Sequence, residues 1–165
     1  MQTLVAACTC GRVALEAKGA PILTASCYCD DCQAAARLIE ALPGAPRLLD
    51  ADGGTSFVVY RKDRLGWTKG AELLKSYKLK ETSPTKRMVA GCCNTAMVLG
   101  FDDAKHWVDV YRARVVGEAP RVEMRVCTRF KPGGAAFADS VPSYPGYSPR
   151  FLAKLLKARV AMLFG

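Results

Sequence analysis

The sequence predicts a mainly β protein with two helices. Short runs of β-branched and aromatic residues fill the middle of the chain, and turn-forming residues separate them at intervals that suit strands. Only two segments combine a helix-forming composition with the flanking residues that begin and end a helix. The 165 residues suit one domain of ordinary size, and half of them are hydrophobic, which is enough for a core.

Seven segments are expected to form strands. Gly19-Ala20-Pro21 predicts a turn between the first two, and Asp52-Gly53-Gly54 predicts a turn just before the third. The third segment, TSFVVYR, consists mostly of residues that favour strands. In chain order the predicted strands are residues 12–17, 22–28, 55–61, 73–79, 87–90, 96–101 and 107–116.

The first helix is predicted at residues 31–41, where the sequence DCQAAARLIEA is rich in helix formers. Asp30 and Asp31 lie at its start, where the helix dipole favours negative charge. Pro43-Gly44 follows its end, as is typical after a helix. The cysteine pattern that precedes this helix makes its position important for function.

The second helix is predicted at residues 148–164, with Ser148 as its N-cap and Pro149 as its first helical residue. Apolar residues recur along it at helical spacing, and basic residues occupy much of the rest. We expect the apolar side to dock on the helix's own domain. The residues on that side are Phe151, Leu152, Leu155, Leu156, Val160 and Leu163.

The formal net charge is +9, but the basic residues are spread along the chain rather than gathered in one stripe. This favours a solubilising surface or an attraction for small anions, and we expect no nucleic-acid partner. No apolar run approaches the ~18–20 residues of a membrane span, and residues 3–7 are too short for the core of a signal peptide. We therefore expect a cytoplasmic protein.

Seven of the eight cysteines fall into three tight groups, which indicates metal binding rather than disulfides. The spacings in CTC and CYCDDC are too tight for ordinary internal disulfides but suit ligands of one shared ion. A cytoplasmic chain of this length also needs no disulfides. Cys127, alone in an apolar run, is expected to be a packing residue, and the lone His106 is expected to be structural.

Zinc fits the three groups better than an iron–sulfur cluster, whose usual cysteine spacings differ. Because zinc prefers four tetrahedral ligands, groups of two, three and two cysteines divide naturally into four plus three. Cys8 and Cys10 are expected to join Cys92 and Cys93 in a closed structural site, with a bend at Gly11 turning the first two sulfurs together.

The adjacent pair is the part of this site that leaves an alternative open. Ligation of one metal by both Cys92 and Cys93 strains the backbone, so one of them is a candidate free thiol. Asn94 follows the pair and tolerates the left-handed conformation that metal-binding turns often need.

The middle group, Cys27, Cys29 and Cys32, supplies three ligands within six residues. Cys32 is expected on the first turn of the first helix, where the helix N-terminus stabilises a thiolate. No fourth ligand lies in the same segment, so a metal here keeps one position for a substrate thiol or a water. We predict a structural zinc in the closed site. These three candidate catalytic residues are the predicted ligands of a second zinc, which is labile or absent.

The motifs CTCG at residues 8–11, CYCDDCQ at 27–33 and CCNT at 92–95 resemble those of the glutathione-dependent formaldehyde-activating enzyme family, also called the S-(hydroxymethyl)glutathione synthase family. The third motif departs from the CxxCG that is usual there. The resemblance implies a β-tent fold of coiled antiparallel sheets. It also implies a structural zinc at the first and third motifs and a labile zinc at the second, where the glutathione chemistry takes place.

The function that this resemblance implies is that of a zinc-dependent carbon–sulfur lyase acting on glutathione or a similar thiol and a small aldehyde such as formaldehyde. A non-catalytic, zinc-stabilised binding module is the alternative, because one fold serves several functions. Peptide methionine sulfoxide reduction is a weaker third hypothesis, since it needs a free reactive cysteine such as Cys127. A small thiol is the expected partner, and a homo-oligomer is left open.

The chain is expected to form one unit with a C-terminal extension. Residues 1–130 are predicted to be the zinc-binding β-tent domain. Residues 131–165 are predicted to form a Gly/Pro-rich loop and a terminal helix that packs on the same domain.

Overall fold

The computed structural model describes residues 2–164 of the chain. This part contains two α-helices, α1 (Asp30–Glu40) and α2 (Pro149–Leu163), and ten strands, so the predicted mainly β fold with two helices is confirmed. The strands are β1 (Thr3–Ala7), β2 (Ala14–Lys18), β3 (Leu23–Cys27), β4 (Thr55–Arg61), β5 (Leu65–Lys69), β6 (Leu74–Tyr77), β7 (Thr85–Ala90), β8 (Thr95–Phe101), β9 (Trp107–Tyr111) and β10 (Met124–Val126).

The strands form two sheets. The smaller sheet is antiparallel in the order β1-β2-β5, and the larger has the order β10-β3-β4-β9-β8-β7-β6. Every pairing in the larger sheet is antiparallel except that of β10 with β3, where Val126 lies opposite Cys27. The expected antiparallel arrangement thus holds except at this edge. A crossover through residues 112–123 keeps β10 in the direction of β9, which is also the direction of β3.

The larger sheet is covered on both faces. On β4, Phe57 and Val59 pack on the side of the two helices, while Val58 and Tyr60 pack on the side of the smaller sheet. A strand buried on both faces is almost continuously apolar instead of alternating, which accounts for the sequence TSFVVYR. The protein therefore has three layers: the smaller sheet, the larger sheet and the helices.

All seven predicted strands overlap observed ones. The prediction for residues 107–116 is wrong beyond Tyr111, because Arg112–Arg114 form a single 3₁₀ turn. The sequence does not predict β1, β5 or β10. β5 is an edge strand with no fully buried residue, and β10 has only three residues, so neither has enough alternation to stand out.

α2 begins as predicted but docks less fully than expected. The Ser148 hydroxyl accepts a hydrogen bond from the Phe151 backbone N–H at 3.0 Å, and Pro149 is the first helical residue. Leu155 is the buried residue of the helix, and its carbonyl oxygen contacts His106 Nε2 at 2.8 Å. The helix contacts the core along one edge, through Leu155 and the partly buried Phe151. The apolar residues left exposed are Leu152, Leu156, Val160 and Leu163.

Within residues 2–164, neither α1 nor the longer α2 has the length and hydropathy that crossing a membrane requires.

Leu155→Ala tests the docking of α2. Leu155 is 6% exposed and belongs to the core under the helices, so its truncation is expected to lower the free energy of unfolding by about 2–4 kcal/mol. Leu156→Ala is the matched control, since Leu156 is 64% exposed and the change is expected to stay within about 0.5 kcal/mol. Urea unfolding of both variants at equal metal content measures the difference. Equal losses would contradict the docking.

Candidate metal centres and the adjoining cavity

Four cysteine sulfurs meet where two chain reversals approach each other. Cys8 and Cys10 belong to the β1–β2 connection, and Cys92 and Cys93 belong to the β7–β8 loop. All four Sγ atoms lie within 4.8 Å of one another, and we call them the four-cysteine group. The Cys10–Cys92 sulfurs are 3.3 Å apart and the Cys8–Cys10 sulfurs 3.6 Å. The Cys92–Cys93 and Cys8–Cys92 distances are 3.8 and 3.9 Å.

These distances suit one tetrahedral metal ion. A zinc–sulfur bond of about 2.3 Å places ligand sulfurs about 3.8 Å apart in a regular tetrahedron. The four sulfur pairs with a measured separation lie between 3.3 and 3.9 Å. The group can therefore hold a metal ion through four protein ligands. Both members of the adjacent pair, Cys92 and Cys93, are placed to take part.

The backbone of both connections bends as the sequence predicts. Gly11 has a φ of +72° and donates its N–H to the Cys8 carbonyl oxygen at 2.9 Å, which closes the turn between the two ligands. The Val13 N–H then points at the Cys8 sulfur at 3.2 Å. In the other loop, Asn94 adopts the expected left-handed conformation with a φ of +52°. The two turns thus direct the sulfurs toward a common point.

Hydrogen bonds favour the thiolate, the form that binds metals, at Cys10 and Cys93, whereas burial and contacts with the other cysteines raise the pKa of Cys92 to about 12. The Arg12 backbone N–H lowers the pKa of the Cys10 thiol. Burial raises the pKa of Cys93, but hydrogen bonds from Thr9 and Thr95 outweigh this effect and lower the pKa to about 5. The Thr95 hydroxyl oxygen lies 3.0 Å from the Cys93 sulfur.

Cys27, Cys29 and Cys32 form a second group at the junction of β3 and α1. Cys27 ends β3, Cys29 is the N-cap of α1, and Cys32 lies in the first turn of the helix as predicted. α1 begins at Asp30, one residue earlier than expected. The three Sγ atoms lie within 4.8 Å of one another, and we call them the three-cysteine group. No other Cys, His, Asp or Glu among residues 2–164 meets that criterion with all three.

The thiols of this group are unequal. Hydrogen bonding with Cys127, Cys29 and Cys32, together with burial, raises the pKa of the Cys27 thiol. Cys29 accepts from the Cys27 and Cys32 thiols, which lowers the pKa of Cys29 to about 3. The Cys32 backbone N–H also points at the Cys29 sulfur at 3.4 Å. Cys29 is therefore the sulfur that carries the negative charge of the metal-free group.

Cys127 is buried in the core, as expected of a packing residue, and it also forms a hydrogen bond with Cys27 of the three-cysteine group. It follows Val126, whose carbonyl oxygen accepts a hydrogen bond from the Tyr28 N–H at 3.1 Å. This bond joins the two chain segments and places Cys127 next to Cys27. Cys127 has a left-handed backbone with a φ of +57°. Gln33 fixes the surrounding loop, because its amide donates to the carbonyl oxygens of Tyr28 and Phe130 at 2.7 and 2.8 Å. A fourth thiol thus borders the group.

A cavity of about 150 Å³ opens beside the three-cysteine group. Apolar side chains form most of its wall, and the cysteine sulfurs lie at one side. Two charged side chains from the larger sheet, Arg87 and Asp109, also line it. The apolar residues of the wall include Phe57, Val59, Leu99, Phe101, Val126 and Phe151.

Strand register brings the two charged side chains to the same face. Arg87 on β7 lies opposite Leu99 on β8, and Leu99 lies opposite Asp109 on β9. Residues directly opposite each other in a sheet point to the same side, so all three face the layer of the helices. Burial raises the pKa of the Asp109 carboxyl to about 7, which keeps it largely protonated below neutral pH.

Comparison with known proteins agrees with the cysteine motifs. The model of the family described as glutathione-dependent formaldehyde-activating enzyme matches residues 3–41, which contain five of the seven grouped cysteines. The match covers only this N-terminal part of the chain. The remaining two grouped cysteines, Cys92 and Cys93, lie beyond the matched segment and complete the four-cysteine group. No curated protein matches the chain.

A solved protein from Rhodobacter sphaeroides, a structural genomics target, resembles this chain in fold. The two share 18% sequence identity with a TM-score of 0.50. The likeness covers 70% of the present chain and 91% of the other. At this identity the likeness concerns the fold alone.

The structure brings together all seven cysteines that the sequence singles out, in the predicted division of four and three. It adds Arg87, Asp109 and Cys127, which the sequence analysis does not identify as site residues. A weak signal exists for Asp109, since it is a lone charge within the apolar strand WVDVY. His106 makes a hydrogen bond to α2 and stays apart from both groups, as expected of a structural histidine.

Asp109→Asn tests the burial of the carboxyl through pH. Because the pKa is raised in the folded state, the unfolded chain releases the proton first, and native stability falls as pH rises from about 4 to 7. The variant lacks this penalty. Its free energy of unfolding relative to the native protein is expected to rise over that window, by up to about 4 kcal/mol. A difference that does not change between pH 4 and 7 would contradict the assignment.

Proposed function

We propose that the protein is a zinc enzyme that joins glutathione or a similar small thiol to a small aldehyde, and catalyses the reverse cleavage of the carbon–sulfur bond. The observation that carries the proposal is the three-cysteine group at the wall of an apolar cavity, with three ligand sulfurs rather than four. The match of residues 3–41 to the model of the glutathione-dependent formaldehyde-activating enzyme family supports glutathione and formaldehyde as the reactants. The reducing cytoplasm, where thiols stay free, is the location that we infer.

The residues present fit two zinc ions of different kinds. Cys8, Cys10, Cys92 and Cys93 would close a structural site with four thiolates, as their sulfur separations suit. Cys27, Cys29 and Cys32 would hold the second ion and leave one coordination position on the cavity side. When bound there, zinc supplies the means to hold a substrate thiol as its thiolate.

The cavity can support the addition in two ways. The substrate sulfur forms a bond to the carbonyl carbon, the C=O π electrons pass to the oxygen, and that oxygen takes up a proton. Asp109 is the proton donor that we assign, because its carboxyl lines the cavity and has a pKa raised to about 7, and the proton that the thiol gives up restores it. The apolar walls exclude water, which otherwise competes as a nucleophile.

A non-catalytic, zinc-stabilised binding module is the second candidate, and Cys127 is the observation that favours it. Cys127 is buried and exchanges a hydrogen bond with Cys27, so a small shift of its loop would offer a fourth thiolate. A site with four protein thiolates is closed and has no position for a substrate. Gln33 holds this loop by two hydrogen bonds, which supports the open arrangement over the closed one.

Exchange between free and thiol-bound aldehyde tests the function. Zinc-loaded protein with glutathione and formaldehyde is expected to accelerate adduct exchange, followed by NMR, above the rate without protein. Cys32→Ser removes one of three ligands and is expected to abolish the acceleration. Cys127→Ser is the matched control and is expected to retain it. No acceleration by the native protein would overturn the enzyme, and loss of one zinc per chain in Cys127→Ser would favour the binding module.

A further inference from the structure

Arg87 is a buried guanidinium with unused hydrogen-bonding capacity. The residue is 3% exposed, and its Nε–H has no hydrogen-bond partner. None of the ion pairs found in residues 2–164 involves it. Burial of a charged group costs several kcal/mol unless it is paired, and the nearby Cys29 thiolate supplies part of the compensating charge. The unpartnered Nε–H leaves capacity for a further anion. Arg87 lines the cavity, which is where that anion has access.

The protein's own groups do not fully satisfy this arginine. Its charge is one of several influences that lower the pKa of Cys29, and its guanidinium approaches the Tyr111 hydroxyl. Burial alone sets the raised pKa of Asp109, so that carboxyl is not an ion-pair partner of Arg87. The Nε–H still lacks an acceptor after these contacts are counted.

The cavity limits the size of what enters. The cavity of about 150 Å³ is open on one side. A thiol as large as glutathione can keep most of its atoms at this opening while its sulfur reaches the cysteine sulfurs. The enclosed space is therefore the place for the smaller, carbonyl-bearing reactant.

We propose that the cavity binds a short aldehyde that carries a carboxylate, and that Arg87 pairs with this carboxylate. A planar guanidinium matches one carboxylate through two parallel hydrogen bonds. A phosphate dianion fits less well, because Arg87 is the one Lys or Arg in the cavity lining. Leu99, which lies between Arg87 and Asp109 in the sheet register, supplies an apolar floor for the carbon atoms. The carbonyl role rests on the proposed function, whereas carboxylate binding does not.

Calorimetric titration of the zinc-loaded protein without thiol tests the inference. The probes are glyoxylate, which has an aldehyde and a carboxylate, and glycolaldehyde, which also has two carbons and an aldehyde but no charge. Glyoxylate is expected to bind the native protein more tightly. Arg87→Met is expected to weaken glyoxylate binding about 10- to 100-fold and to leave glycolaldehyde unchanged. Arg87→Lys keeps the charge without the planar fork and is expected to lose less.

Arg114→Met is the matched control, because Arg114 is a second buried arginine, 8% exposed, whose Nε also lacks a partner and which lies outside the cavity lining. It is expected to leave glyoxylate binding unchanged. Equal affinity of the native protein for the two probes would overturn the inference even if Arg87→Met does not fold. Glyoxylate binding that survives Arg87→Met but disappears without zinc would also overturn it.

The two proposals fail in different ways. Arg87-dependent glyoxylate binding without any thiol adduct would sustain the carboxylate site and overturn the enzyme. Suppose that the protein accelerates exchange with formaldehyde and that Arg87→Met binds glyoxylate as tightly as the native protein does. This result would support the proposed enzyme and overturn the carboxylate site.

Discussion

The convergence of four sulfurs at the turns of two separate hairpins is the constraint on which the arrangement of the layers depends. One turn belongs to the smaller sheet and the other to the larger, and 82 residues separate Cys10 from Cys92 in sequence. A metal ion shared by them would fix the smaller sheet against one face of the larger sheet. Metal affinity of this kind is also folding free energy, because the unfolded chain has no preformed site. The opposite face is then left for the helices and the cavity.

The three-cysteine group differs because its ligands are local in sequence. Cys27, Cys29 and Cys32 lie within one strand-to-helix junction, so the group crosslinks little and a metal there adds little to the fold. Its surroundings, by contrast, come from distant parts of the chain: Arg87 and Asp109 from the larger sheet and Cys127 from the crossover edge. The arrangement suits a site whose metal is exchangeable and whose specificity is set by the cavity.

Local chemistry explains what the sequence predicts and what it does not. The spacing of the cysteines, the bend at Gly11 and the left-handed Asn94 are properties of a few adjacent residues, and each is visible in the sequence. The position of Cys127 depends on a parallel pairing of three residues between β10 and β3, and the pairing of Arg87 with its neighbours depends on strand register. Neither leaves a periodic pattern in the sequence. The sequence also does not predict that part of the apolar side of α2 is exposed. Helical spacing shows which residues share a side of the helix, but not how much of that side the rest of the domain covers.

Anomalous diffraction at the zinc edge from crystals of the zinc-loaded, reduced protein tests the division of the cysteines most directly. The account predicts two metal peaks per chain. The peak between the two hairpins has four protein sulfurs, and the peak at the start of α1 has three protein sulfurs with its fourth ligand from outside the chain. A fourth protein sulfur from Cys127 at the second peak, or a first peak that lacks Cys92 or Cys93, would contradict the account.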